Sequence, residues 1–145
     1  ARPPPGPIDA AIWPLCGSVT PNESEAALST GLPVTSLAEA RTAGDALLAK
    51  GVGTALITLG EAGALLHTRA ASTHVPAFKA GPVVETAGAG DAFNGGFAAA
   101  VARGATPAEA ARFGCAVAGI SVTRAGTAPS MPLLAEVEVL LAGQP

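Results

Sequence analysis

The stretch Glu85-Thr86-Ala87-Gly88-Ala89-Gly90-Asp91-Ala92-Phe93-Asn94-Gly95-Gly96-Phe97 decides how the rest of the chain is read. Very small residues, Ala87 to Gly90, precede a single aspartate, and an apolar helix-like run follows. Small residues let a backbone approach a ligand closely. The first N–H groups of a helix have no internal partners, and the helix dipole adds partial positive charge there. Together they make a cradle for an anion, most naturally a phosphate. Asp91 falls inside the first turn, where the dipole favours its ionised form and it can accept a proton from a hydroxyl. Phosphoryl transfer needs this pair: donors on the migrating group and a base on the attacking oxygen. The plain alternative is a tight turn entering a helix with a favourable first-turn acid.

Neither of the common phosphate-binding patterns fits the stretch. Gly90 and Gly95 have the spacing of G-x-x-x-x-G-K-[ST], but Gly96 and Phe97 stand where Lys and a hydroxyl belong. Gly88 and Gly90 open a G-x-G-x-x-G, but Phe93 occupies its third glycine position.

The rest of the chain supports an α/β layer architecture. Of its 145 residues, 49% are hydrophobic, enough for a packed core in one domain. Aromatics are scarce and Ala and Gly abundant, which favours helices packed closely on a sheet. The net charge of -3 offers no basic field for a nucleic-acid backbone. No apolar run reaches the roughly 18 residues of a spanning helix, and no signal-peptide pattern opens the chain, so no membrane partner is expected. Cys16 and Cys115 lack metal-like spacing. Two thiols in a chain of this size point to a reduced, cytoplasmic protein, although a disulfide stays open on sequence alone. His67 and His74, in apparent strands and without obvious partners, are expected at the surface or rim rather than on a metal.

Local signals set the elements. Glu23–Thr30 reads as a short helix closed by Gly31. Ser36 and Glu39 form a capping-box pattern for a helix running to about Lys50. Thr54–Leu59 reads as a buried strand, the segment from Gly60 to Gly63 as a turn, and Ala64–Thr68 as the return strand of a hairpin. Ser72–Val75 and Pro82–Glu85 are weaker strand candidates. The helix that begins near Gly90 is expected to put Phe93, Phe97, Ala100 and Val101 on one face. Thr106, Pro107 and Glu109 give concordant start signals for the next helix, with Phe113, Val117 and Ile120 as its apolar stripe. A last helix covers roughly Pro132–Leu141 and ends at Gly143. The proline-rich opening, Arg2-Pro3-Pro4-Pro5-Gly6-Pro7, suits a tail or a loop and neither a helix interior nor a sheet ladder.

Thr86 to Gly96 resembles the C-terminal signature of the ribokinase-like (PfkB-type) carbohydrate kinase family. Pro21-Asn22-Glu23-Ser24-Glu25 resembles the family's N-x-x-E segment. Thr58-Leu59-Gly60-Glu61-Ala62-Gly63 resembles its nucleotide-contacting strand and turn, and the segment from Ser121 to Ser130 resembles the ribokinase ending. The resemblance implies a Rossmann-like ribokinase-type layered fold, here only its C-terminal, nucleotide-binding half. The N-terminal sugar-binding part and the β lid of the longer family members have no counterpart in these residues. The family's N-P-A-P-type loop aligns with Arg2-Pro3-Pro4-Pro5.

By the same resemblance Asp91 is the catalytic base, and the N–H groups of Ala87, Gly88, Ala89 and Gly90 form the anion hole for the γ-phosphate of ATP. Asn22 acts near the phosphates, and Glu25 near Mg²⁺ through water. Thr58, Gly60, Gly63 and Cys115 belong to the ATP site, Cys115 towards adenine, with a plain buried helix cysteine as its alternative. Glu85, Ala87, Ser121, Arg124, Gly126 and Ser130 correspond to a monovalent-cation (K⁺) site. The family usually has Asp where Glu85 stands, which puts potassium dependence in question. The implied reaction is transfer of the ATP γ-phosphoryl to a sugar hydroxyl, ribose first because of Val122-Thr123-Arg124-Ala125-Gly126. The competing reading is a nucleotide-binding or interaction module without catalysis. The implied partners are ATP, a sugar, the N-terminal half and, in a full-length protein, a second copy as a homodimer.

Overall fold

The computed structural model describes residues 7–144, so the Arg2–Pro5 alignment lies outside the described residues. Its centre is a four-stranded sheet in the order β1-β2-β3-β4. The strands are β1 (Ser18–Val19), β2 (Thr54–Thr58), β3 (Ala64–His67) and β4 (Ser72–Val75). β1 runs parallel to β2, pairing Ser18 with Thr54, and the other neighbours are antiparallel. The β2–β3 hairpin pairs Thr58 with Ala64 and Ala55 with His67. Gly63, at φ 96, turns that corner, and a Cβ there would fall 2.0 Å from the Val75 carbonyl oxygen.

Alternation along the strands divides the core between two faces. Ala55 and Ile57 of β2 and Leu65 of β3 pack towards α1 (Glu23–Thr30) and α2 (Leu37–Ala49). Leu56, Ala64 and Leu66 pack on the other face, against α3 (Ala89–Ala102), α4 (Pro107–Ser121) and α5 (Leu134–Gly143). The result is three layers, helix–sheet–helix. Small residues bring α3 and α4 together: a Cβ on Gly96 would sit 2.8 Å from Val117, and one on Gly114 2.9 Å from the Phe93 carbonyl. The Ala- and Gly-rich composition therefore sets how closely these helices approach.

The start signals operate as expected. The Thr106 hydroxyl accepts from the Glu109 N–H, while the Glu109 carboxylate accepts from the Thr106 N–H at 2.8 Å. Ser36 caps α2, but Glu39 reaches past it to the N–H and hydroxyl of Thr35, both at 2.6 Å. Both cysteines are free thiols.

Some expectations need correction. Pro82–Glu85 is not a strand: its Val84 and Glu85 N–H groups both meet one acceptor, the Val122 carbonyl, so no ladder forms. β1 escaped the sequence reading because it is only two residues long. Val101 is 48% exposed and leaves the face that Phe93 and Ala100 bury. His67 is buried rather than at the rim; its Nε2 meets Asp45 at 2.7 Å and its Nδ1 meets the Ser72 hydroxyl at 3.0 Å. His74 is exposed, its ring against the Ala62 carbonyl. No helix of the described residues is long and apolar enough to cross a membrane.

Candidate active site

α3 begins at Gly88, which holds φ 79 as N-cap. Glycine adopts this left-handed conformation without the steric cost a Cβ brings. It also has no side chain with which to cap the helix, and the Thr86 carbonyl takes only the Ala89 N–H. The Ala92 N–H closes the first helical bond, onto the Gly88 carbonyl. The N–H groups of Gly90 and Asp91 fall between these two and have no carbonyl one turn back to meet. A Cβ on Gly90 would enter open space, so the backbone there is accessible to a ligand.

This helix start lines an open cleft of about 260 Å³. Gly88, Ala89, Gly90 and Asp91 form one wall; Thr20, Asn22, Glu25 and Thr58 come from the opposite side. Thr86 and Asn94 complete the lining; these two and Thr20 were missed in the sequence. Asn94 had a readable signal, since three residues after Asp91 is the same helix face.

Asn22 and Glu25 hold one another. The Asn22 side-chain oxygen accepts from the Glu25 N–H at 2.9 Å, and the Glu25 carboxylate accepts from the Asn22 N–H at 3.0 Å. The N-x-x-E segment is thus the capping box of α1, a signal present in the sequence and not used. Asn22 is also bridged to Thr58, the last residue of β2, so cap and strand end meet at the cleft. The second end of a helix dipole therefore faces the same space: α1 and α3 both point their N-termini into it.

The other nominated residues lie elsewhere. Ala87 does not line the cleft, although its neighbours do. Gly60 and Gly63 sit in the turn beyond Thr58; a Cβ on Gly60 would meet open space, whereas Gly63 is pressed against the end of β4. Cys115 is buried in the core beneath α3, and burial pushes its thiol up to about 12. The Glu85 carboxylate meets the Gly126 N–H at 2.7 Å. The hydroxyls of Ser121 and Ser130 donate to the carbonyls of Ala118 and Thr127. Arg124 pairs with Glu136, and this hydrogen bond holds the Glu136 carboxyl below its ordinary value. Among the described residues no cluster of three or more His, Cys, Asp or Glu is set up for a metal.

The cleft thus brings together helix N–H groups without intrahelical partners and two carboxylates, Glu25 and Asp91. Mg²⁺ is ordinarily held by one or two carboxylates together with substrate phosphates. Glu25 and Asp91 in one cleft fit that donor set.

The chain matches known proteins over most of its length. The sequence model described as "pfkB family carbohydrate kinase" matches residues 3–134. The chain is 38% identical over 125 residues to the deoxyribokinase of Salmonella typhi, covering 86% of this chain and 40% of that protein. In structure it is similar to the ribokinase of Thermotoga maritima, with TM-score 0.84 and 39% identity over 93% of this chain and 45% of that one. It is also similar to the ribokinase of Arabidopsis thaliana, solved in complex with ribose and ATP, with TM-score 0.89 and 32% identity over 94% of this chain and 44% of that one. The chain therefore spans under half the length of these relatives. Its fold is the ribokinase-type α/β fold in part, and the chain belongs to the pfkB family of carbohydrate kinases.

Proposed function

We propose that this chain is the C-terminal, nucleotide-binding and catalytic half of an ATP-dependent sugar kinase. The observation that carries the reading is the convergence, in one cleft, of the α3 N-terminus, Asp91, the Asn22–Glu25 cap and Thr58. The γ-phosphate of ATP lies against the open N–H groups at the start of α3, in the field of the helix dipole. Asp91 takes the proton from the sugar hydroxyl as that oxygen attacks phosphorus. Asn22 keeps the α1 N-terminus directed at the phosphates, and Thr58 sets the floor where the nucleotide enters towards Gly60 and Gly63. Glu25 would hold Mg²⁺, and the ion would supply neutralisation of phosphate charge.

The sugar proposed first is ribose. The ribokinase-like segment Val122 to Gly126 supports it, as does similarity to the two ribokinases. The test is ADP release by the whole polypeptide with ribose, 2-deoxyribose, fructose and a nucleoside as acceptors. The expected result is strongest stimulation by ribose. Asp91→Asn should lower turnover by about 10²- to 10⁴-fold, the range of a general base, while ATP still binds. ATP binding without turnover on any acceptor would replace this reading with that of a nucleotide-binding module.

A further inference from the structure

We propose that Glu85 is a positioning residue whose carboxylate straps the 121–130 segment onto the entry to the anion-binding turn. Its Oε2 accepts the Gly126 N–H at 2.7 Å, joining residues 41 positions apart in a partly buried setting. The backbone beside it reinforces the join: the Val84 and Glu85 N–H groups both donate to the Val122 carbonyl, at 2.7 and 3.2 Å. The next residue after Gly126 is Thr127, and its side chain closes on Gly88, where a Cβ would meet Thr127 Cγ2 at 3.0 Å. Gly88 is the N-cap of α3. Glu85 therefore fixes Gly126, Gly126 carries Thr127, and Thr127 backs the residue from which the phosphate-binding amides project.

A strap of this kind needs a side chain long enough to reach the loop and an acceptor oxygen at its end. A carboxylate accepting a backbone N–H makes a charge-assisted bond, among the stronger ones available. The one nearby guanidinium of the segment, Arg124, is turned to Glu136 instead. The ribokinase resemblance gives this position to a cation ligand. Here its carboxylate is met by a protein donor, and the Ser121 and Ser130 hydroxyls have protein acceptors. Among the described residues no buried side-chain oxygen is left without a partner. The strap is thus a direct bond between the protein's own groups, and it should form without K⁺.

The functional consequence rests on the phosphate-binding reading of the cleft, but the strap itself can be read without nucleotide. Hydrogen exchange at the Gly126 amide is the direct measurement. Protection should survive in Glu85→Gln, which keeps an acceptor of the same length, and fall at least about tenfold in Glu85→Ala. ATP affinity should weaken about tenfold in Glu85→Ala with AMP affinity little changed, and stay within about threefold of the parent in Glu85→Gln. Protection of the Gly126 amide should be present in sodium and choline chlorides as well as in potassium chloride. An unprotected Gly126 amide in the parent, or a Glu85→Gln as damaging as Glu85→Ala, would overturn the strap. So would a K⁺-specific stabilisation that Glu85→Gln removes, because charge and not reach would then be what matters. Lost protection with ATP affinity unchanged would overturn the positioning role. Should Glu85→Ala fail to fold, Glu85→Gln and the salt comparison decide. A parent that binds no ATP yet protects Gly126 would count against the kinase reading and leave the strap standing.

Discussion

Gly88 joins fold and site in one residue. Its φ of 79 starts α3, and its missing side chain leaves room for Thr127 behind it. Gly88→Ala should therefore lower stability by about 1–2 kcal/mol from backbone strain, and the contact with Thr127 should push the first turn out of place. Thermal melting checks the first effect and ATP titration the second; unchanged values in both would remove Gly88 from the account. The small-residue stretch was legible because tight turns, close approach and helix starts all demand the same residue types. Burial of His67 was not legible. Its partners Asp45 and Ser72 come from a helix and the neighbouring strand, and neither spacing resembles a motif. Thr20 was missed for a related reason: it reaches the cleft only because separate segments meet there.

Helix starts carry most of what the sequence revealed about elements. Thr106, Pro107 and Glu109 marked α4 correctly because each answers a local need of the first turn. Thr106→Ala should cost about 1 kcal/mol, a fall of roughly 3 °C in melting temperature for a chain of this size. The same caps set a pH dependence. Hydrogen bonds from Thr106 hold the Glu109 carboxyl below 4.5, and those from Thr35 do the same for Glu39. A carboxyl with a depressed folded-state value stabilises the fold above its unfolded value, and that support is lost as pH falls through the folded one. Stability should therefore be level above about pH 5 and decline below about 4.5. Glu109→Gln, which can still cap but cannot titrate, should make the decline shallower in denaturant melts across that range. An identical acid slope would show that the cap is not formed in solution. Strand assignment was weaker. Val83 and Val84 have strand-like side chains but are 61% and 62% exposed, and their segment finds only the Val122 carbonyl. β-Branched residues describe a surface that suits a sheet and cannot supply the neighbouring strand.

At the scale of the whole molecule, the three layers bury two cores, one on each face of the sheet. β2 and β3 are buried along nearly their whole length, so their sequences marked burial without telling which residue faces which core, and the end of the sheet was not readable either. β1 pairs with β2 on one side only among the described residues, and Ile12 and Leu15, just before it, are 49% and 83% exposed. An uncovered strand edge beside apolar side chains favours association. The 145-residue chain by itself should therefore self-associate with rising concentration, and Leu15→Lys should reduce this. Light scattering over a concentration series checks it, and a monomer throughout would contradict it.

The central claim is that the cleft between the starts of α1 and α3 receives the phosphates of ATP. The most direct test is an amide chemical-shift map of the chain titrated with ATP in the presence of Mg²⁺, and separately with adenosine. The account predicts that ATP shifts the amides of Gly88 to Asp91, Asn22 and Glu25 most strongly, and that adenosine leaves them nearly unmoved. Shifts centred instead on the opposite end of α3, around Arg103 and Phe113, or equal responses to both ligands at Gly90 and Asp91, would contradict it.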